Sequence, residues 1–205
     1  ATTGATARPI MAKFGISEPL YGPFYAADVY QSPARPKAAA FQHLCLETEF
    51  SFRFGKALPA RGDAYSRAEV VAAVDAVVPS FELICPRFAT IPFDRVYEAI
   101  ADCGLNGGMV LAKPVTDWQR HDLVNHKVTL TVDGTVKGEG TGALALDDPV
   151  NVLEWCVNAL AKAGIGLEAG QLIATGTTTG VVFVEKGARA IGDFGTLGKV
   201  QVSFV

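Results

Sequence analysis

Charge is scarce in this sequence. Asp, Glu, Lys and Arg make up 19% of the 205 residues, 21 acidic against 18 basic, for a formal net charge of −3. A nucleic-acid-binding chain usually carries a basic stripe, so no nucleic-acid partner is expected. Long apolar runs are missing too: no stretch of 18 or more apolar residues occurs, so no membrane span is expected. Cysteine is sparse and unpaired. The four, Cys45, Cys85, Cys103 and Cys156, form no C-x-x-C pair, and each sits in or beside an apolar run. Buried, reduced thiols of a cytoplasmic protein are the expectation. The sequence has no G-x-S-x-G for Ser-His-Asp chemistry. "GTTTG" lacks the Gly-Lys-Ser/Thr ending of a phosphate-binding loop.

What remains is apolar. Hydrophobic residues are 49% of the chain, enough for a sizeable core and too many for disorder. The length suits one domain over residues 1–205. A lean charged surface suggests that part of it is buried in a homo-oligomer. The opening "ATTGATARPIMAKFG" lacks an initiator Met and starts mid-pattern, so an N-terminal portion is expected to precede it.

Periodicity outlines the elements. "RPIMAKF", residues 8–14, reads as a short helix stopped by Gly15. Residues 17–40 read as an irregular segment with short strands. "SRAEVVAAVDAVVP", residues 66–79, reads as a helix with a Ser66/Glu69 capping box and valines 70, 71, 74, 77 and 78 on one face, ended by Pro79. "SFELIC" follows as a short strand, and "FDRVYEAIADCG" as a helix closed by Gly104. "GGMVLA" is a buried run, and Asp133-Gly134 marks a hairpin turn. Asp148 and Pro149 open the clearest helix, which Gly164 follows. "QLIATG", "GVVFV" and "KVQVSFV" are further strands. Strands mostly follow one another directly, which predicts an α+β fold with a mixed sheet.

The stretch "LETEFSFRF", residues 46–54, carries a puzzle. Successive side chains of a strand alternate between faces, so Leu46 and the phenylalanines 50, 52 and 54 share one face while Glu47 and Glu49 share the other. Two carboxylates about 7 Å apart repel each other. A third acid, Glu82, lies in the apolar run "FELIC", where an unpaired carboxylate is costly. Three carboxylates can hold a hard dication through oxygen, and the lack of paired His or Cys favours Mg²⁺ or Mn²⁺ over zinc or copper. An E-x-E on an amphipathic strand is also what a solvated face looks like, so spacing alone leaves both open.

"GISEPLYGPF", "LETEFSFRFGKALP", "AAVDAVVPSFEL" with "PRF", "ADCGLNGGMVL" and "GQLIATGTTTGVVFVEKGARAIGDFGTLGKVQVSF" together resemble the fumarylacetoacetate hydrolase superfamily, in its 2-keto-4-pentenoate hydratase and 4-oxalocrotonate decarboxylase branch. The resemblance covers nearly the whole chain. It implies a mostly antiparallel β-sheet roll with flanking helices. It also implies that Glu47, Glu49 and Glu82 bind one Mg²⁺ or Mn²⁺. The implied activity is that of a metal-dependent lyase, hydro-lyase favoured, acting on 2-oxo acids or their enols through a metal-stabilised enolate, as in aromatic catabolism. An acylpyruvate-type C–C hydrolase stays open as an alternative. The "ATGTTTG" loop, with Thr175, Gly176 and Thr177, is the expected cradle for the substrate carboxylate; read bare, it is a tight turn.

Two positions depart from the family. Its hydratases carry a Lys where this chain has Thr2, and an acid within "QPDFG" where this chain reads "EPLYG" with Leu20. Those are the family's proposed proton-transfer groups. Their absence leaves the proton-transfer residues unassigned and opens a further alternative, a catalytically impaired partner of a related decarboxylase or hydratase. Of the remaining candidates, His43 precedes the glutamate strand and is within reach of it in sequence. His121 and His126 read as surface, Arg87 as a partner of Glu82 or substrate, Asp102 as a residue ordering the site, and Lys113 as solvated.

Overall fold

The computed structural model of the chain describes residues 1–91 and 95–205. The first half contains strands β1 (Thr2–Gly4), β2 (Leu20–Gly22), β3 (Val29–Gln31), β4 (Cys45–Phe54) and β5 (Val74–Ile84), with helices α1 (Arg8–Phe14) and α2 (Arg67–Ala73). The second half adds α3 (Val96–Ala101), β6 (Asn106–Leu111), β7 (Lys127–Val132), β8 (Thr135–Thr141) and α4 (Pro149–Lys162). It ends with β9 (Leu172–Thr177), β10 (Val182–Phe183), β11 (Arg189–Asp193) and β12 (Lys199–Ser203). These build the expected α+β fold. One eight-stranded sheet runs β2-β1-β9-β4-β5-β6-β3, with β10 also paired to β4, and a four-stranded sheet runs β12-β11-β7-β8. Pairing is antiparallel except for β1 with β9 and β3 with β6.

β4 is the centre of the large sheet. Its even positions Leu46, Phe50, Phe52 and Phe54 are fully buried and join the main core. Phe50 packs edge-on against Phe194 at 5.4 Å, and Phe52 against Trp118 at 5.5 Å. Burying one such side chain contributes about 1.5–3 kcal/mol. The odd positions face the other way and carry the glutamates.

The helix expected over 66–79 is half right. Ser66 caps α2 through the Glu69 amide, and Glu69 completes the box. The helix stops at Ala73; Val74 is extended, and residues 74–84 form one long strand. The valine spacing suits either element, but β-branched side chains favour the pleat, and pairing with β4 from Cys45 to Phe54 settles it. Pro79 lies inside that strand rather than ending a helix; its carbonyl accepts from the Ala112 amide. β5 is nearly continuously buried, which is why it shows no alternation.

Other boundaries shift less. Gly15, at φ 67°, stops α1; Asp133 and Gly134 both take positive φ at the β7–β8 turn; Asp148 caps α4 through the Val150 amide. α3 begins at Val96, and residues 93–94 of the helix expected there lie outside the described residues. The strand expected at 180–184 shrinks to Val182–Phe183, and β11 was not anticipated. His121 and His126 are half-buried rather than on the surface, ring against ring at 6.1 Å, with His126 also against Phe50. Cys45 and Cys156 are buried, while Cys85 and Cys103 are only partly so; all four are free thiols. No helix among the described residues is long and apolar enough to cross a membrane.

Candidate metal centre

β5 runs antiparallel to β4 with Glu47 paired to Glu82, so the third carboxylate stands directly across from the first. Glu49 lies two residues along the same face. One carboxylate oxygen from each of the three lies within 4.8 Å of the others. Glu49 is fully buried and Glu82 nearly so, while Glu47 is partly open to a pocket.

Neighbouring groups hold the carboxylates in place. The β4–β9 register slips between Glu49 and Ser51, and this bulge turns the Gly176 N–H onto Glu49 Oε2 at 2.8 Å. Gly176 has φ 86°, and a Cβ there would meet Thr6 Oγ1 at 1.9 Å, so glycine is required on both counts. Glu82 Oε1 accepts from Asn106 Nδ2 at 2.6 Å and from the Thr2 hydroxyl at 3.1 Å. Glu49 Oε1 is buried without a hydrogen-bond partner among the described residues.

The electrostatics follow from this crowding. Burial, then the charge of Glu82, pushes Glu47 up to about 8; a hydrogen bond from Thr177 opposes both. Glu49 is raised well above the usual carboxylate range by burial and by the charges of Glu82 and Glu47, against the Gly176 N–H. Burial also raises Glu82, against the hydrogen bonds from Asn106, from the protonated carboxyl of Glu49 and from Thr2. Three carboxylates in a low dielectric, one oxygen lacking any donor, suit a dication that neutralises them together. The donor set is oxygen alone, which fits Mg²⁺ or Mn²⁺ and gives no soft ligand for zinc or copper.

Behind the cluster lies a supporting network that sequence reasoning missed in part. Asp102, almost fully buried, accepts from the Arg87 amide at 2.8 Å and from its guanidinium at 2.7 Å. Arg87 also donates to the Asn106 carbonyl at 3.1 Å. Arg87 therefore pairs with Asp102 rather than with Glu82, and the pair fixes Asn106, which fixes Glu82. Asp102 thus reaches Glu82 only through Arg87 and Asn106; Asn106 carried no local signal, since its contact with Glu82 exists only once β5 and β6 are paired.

The loop residues divide. Thr175 is fully buried, and its hydroxyl donates to the Phe50 carbonyl at 2.9 Å, away from the pocket. Gly176 and Thr177 line the pocket, and the Thr177 hydroxyl accepts from the Gly180 amide at 2.8 Å. The pocket has a volume of about 370 Å³, within the usual range for a small-molecule site. Glu47 and Glu82 lie in its lining, with walls from Ile10, Phe14, Leu20 and Ile84. Leu20 is thus at the site, but with an apolar side chain. His43 contacts the Phe88 carbonyl at 3.2 Å and does not line the pocket. Lys113 is exposed.

A sequence profile described as fumarylacetoacetate (FAA) hydrolase C-terminal matches residues 28–204. The chain is 30% identical over 207 residues to a 2-oxo-hept-4-ene-1,7-dioate hydratase of Escherichia coli, covering 98% of this chain and 77% of that protein. It is 29% identical over 203 residues to a 4-oxalocrotonate decarboxylase of a Pseudomonas species, covering 98% and 76%. The solved 4-oxalocrotonate decarboxylase from Pseudomonas putida G7, complexed with magnesium and adipate, superposes with a TM-score of 0.91 at 26% identity, over 100% of this chain and 76% of that one.

Proposed function

From the premise that the chain belongs to the fumarylacetoacetate hydrolase family, we propose that it is a divalent-metal-dependent lyase of the hydratase/decarboxylase type, acting on 2-oxo acids or their enols. The observation that carries this reading is the cluster of Glu47, Glu49 and Glu82, with its unpartnered Glu49 oxygen, at the wall of a small-molecule-sized pocket. The magnesium in the decarboxylase of known structure and the two relatives' activities support it. Glu47, Glu49 and Glu82 would hold Mg²⁺ or Mn²⁺, which supplies Lewis acidity to the oxygens of a 2-oxo acid.

The chain's own groups do the rest. Gly176 and Asn106 keep the carboxylates oriented, and the apolar walls face the carbon chain of the substrate. The backbone around Gly176 and Thr177 receives the substrate carboxylate; Thr175 contributes to the fold of that loop.

Proton transfer is where this chain stands apart. The Thr2 hydroxyl is engaged with Glu82, and Leu20 has no proton to give. Water addition needs both a base and an acid, whereas loss of CO₂ needs a proton only after the bond has broken. Thr2 and Leu20 supply neither group. The same two residues favour a second reading, a metal-retaining subunit that acts beside an active relative.

We also place the chain in the cytoplasm as a homo-oligomer, on its low charge, its free thiols and exposed apolar side chains such as Tyr97 and Phe183. A stable monomer in sedimentation at micromolar concentration would count against assembly. Activity is tested with Mg²⁺ and a panel of 2-oxo acids, reading product identity by NMR. Metal-dependent turnover is expected; metal binding without turnover of any acid would favour the partner reading.

A further inference from the structure

One face of α1 forms a wall of the pocket. Ala7, Ile10, Lys13 and Phe14, spaced three and four residues apart, all line it, as neighbours on one helical face do. Lys13 is the pocket's lone lining cation among the described residues, facing a pocket whose other charged walls are Glu47 and Glu82. It is exposed, and no hydrogen bond or ion pair of its ammonium is found among the described residues. The arginine on the same helix, Arg8, is engaged with Asp147 instead. Beside Lys13, two large apolar side chains stay open to solvent while lining the same pocket: Ile10 at 42% and Val181 at 37% exposure.

These residues share one ligand-sized pocket with the glutamate cluster. A 2-oxo acid has its carboxylate and keto oxygen at one end, where the glutamate cluster lies. A carbon chain leading away from that end would cover Ile10 and Val181 and remove apolar surface from water. What stands at the end of the chain then decides the role of Lys13. A methyl group would sit beside an ammonium and gain nothing from it. A second carboxylate would find there the one cation in the lining and be stabilised as it leaves water.

Resting on the metal-dependent 2-oxo acid reading above, we propose that Lys13 is a specificity-determining residue that selects 2-oxo acids bearing a second carboxylate at the far end of the chain. The alternative role for Lys13 is a cation at the end of a helix, which stabilises the fold and is indifferent to the ligand. That alternative predicts a small change in melting temperature and no change in selectivity.

The experiment compares 2-oxoadipate with 2-oxohexanoate, equal in chain length and different only in a terminal carboxylate or methyl. Binding is measured by calorimetry with saturating Mn²⁺, on wild type, Lys13→Met and Lys13→Arg. Wild type should prefer the diacid by about tenfold, more than the few-fold of a fully exposed ion pair because the ligand desolvates the contact. Lys13→Met should lose that preference by weakening the diacid alone. Lys13→Arg should keep most of it, and added NaCl should shrink it. Equal affinities for the two acids in wild type, or a preference that survives Lys13→Met, would overturn the proposal. If neither acid binds in an Mn²⁺-dependent way, the underlying reading of the glutamate cluster falls, and this one with it; Mn²⁺-dependent 2-oxohexanoate binding without diacid preference removes only the role of Lys13.

Discussion

Replacing Glu47 by Gln should stabilise the metal-free protein, and the gain should grow with pH. The carboxyl of Glu47 is pushed up to about 8, against an ordinary value of 4.5. Between those two values the unfolded chain has released the proton and the folded protein retains it. Folding then takes up a proton, so this group's contribution is fully present below pH 4.5 and is lost as pH rises towards 8. The slope is about 1.4 kcal/mol per pH unit. From pH 6 to pH 8 wild type should therefore lose about 2–3 kcal/mol through Glu47, and the Gln variant should not. The charge of Glu47 also raises Glu49, so its removal relaxes a neighbour in the same direction. For a chain of this size the gap in melting temperature should widen by roughly 5–10 °C over that range. Urea and thermal denaturation in EDTA-treated buffer at pH 6, 7 and 8 measure it. With saturating Mn²⁺ the order should reverse, because the ion stabilises only the state that binds it. A gap that stays constant from pH 6 to pH 8 would refute the assignment of a strained, proton-holding carboxyl at this position.

Glu49→Gln and Glu82→Gln should each weaken Mn²⁺ binding by at least tenfold, since each removes an anionic oxygen from a three-carboxylate set; unchanged calorimetric affinity in both would remove the metal assignment. Gly176→Ala should cost about 2–4 kcal/mol of stability, combining a left-handed backbone with an overpacked contact against Thr6, and should also weaken Mn²⁺ binding through the misplaced amide; a wild-type denaturation midpoint would contradict it. Thr175→Val and Thr177→Val should separate fold from function. The first loses a buried hydrogen bond to Phe50 and about 1–3 kcal/mol of stability; the second loses the hydroxyl that donates to Glu47 and should weaken Mn²⁺ binding roughly tenfold with little loss of stability. Equal Mn²⁺ affinity in Thr177→Val and wild type would return that residue to an ordinary turn.

The two faces of β4 were legible because its period of two is visible in the text: phenylalanines on even numbers, glutamates on odd. That Glu82 stands opposite Glu47 was not legible, because register is a property of two strands, and nothing between residues 55 and 73 states it. The family resemblance supplied the grouping that spacing could not. The valine run misled for a related reason. Positions 70, 71, 74, 77 and 78 fit a helical stripe, yet a buried strand loses its alternation and leaves only β-branched enrichment as its signature. Thr175 and Thr177 look equivalent in "ATGTTTG"; the bulge at Gly176 assigns one hydroxyl to the interior and the other to the pocket wall. Lys13 gave no sign beyond being the basic residue at the end of a short helix, since the pocket it lines is assembled from segments far apart in the chain.

The parallel pairing of β1 with β9 has a consequence for the order of events during synthesis. Thr3 donates its hydroxyl to the Ala174 carbonyl, 171 residues later in the chain, and Thr2 reaches Glu82 from the same short strand. At translation rates of about 5–20 residues per second, β1 leaves the ribosome on the order of ten seconds or more before the strand that receives it. Until then Gly176 is also absent, so Glu49 lacks its amide and the bulge that orients it does not exist. A nascent chain can thus pair β4 with β5 edge to edge while their shared glutamate face holds three carboxylates and no complete means of grasping an ion. The arrangement of the three carboxylates is completed only when the distant ends of the sheet have met, and ion binding would report that meeting.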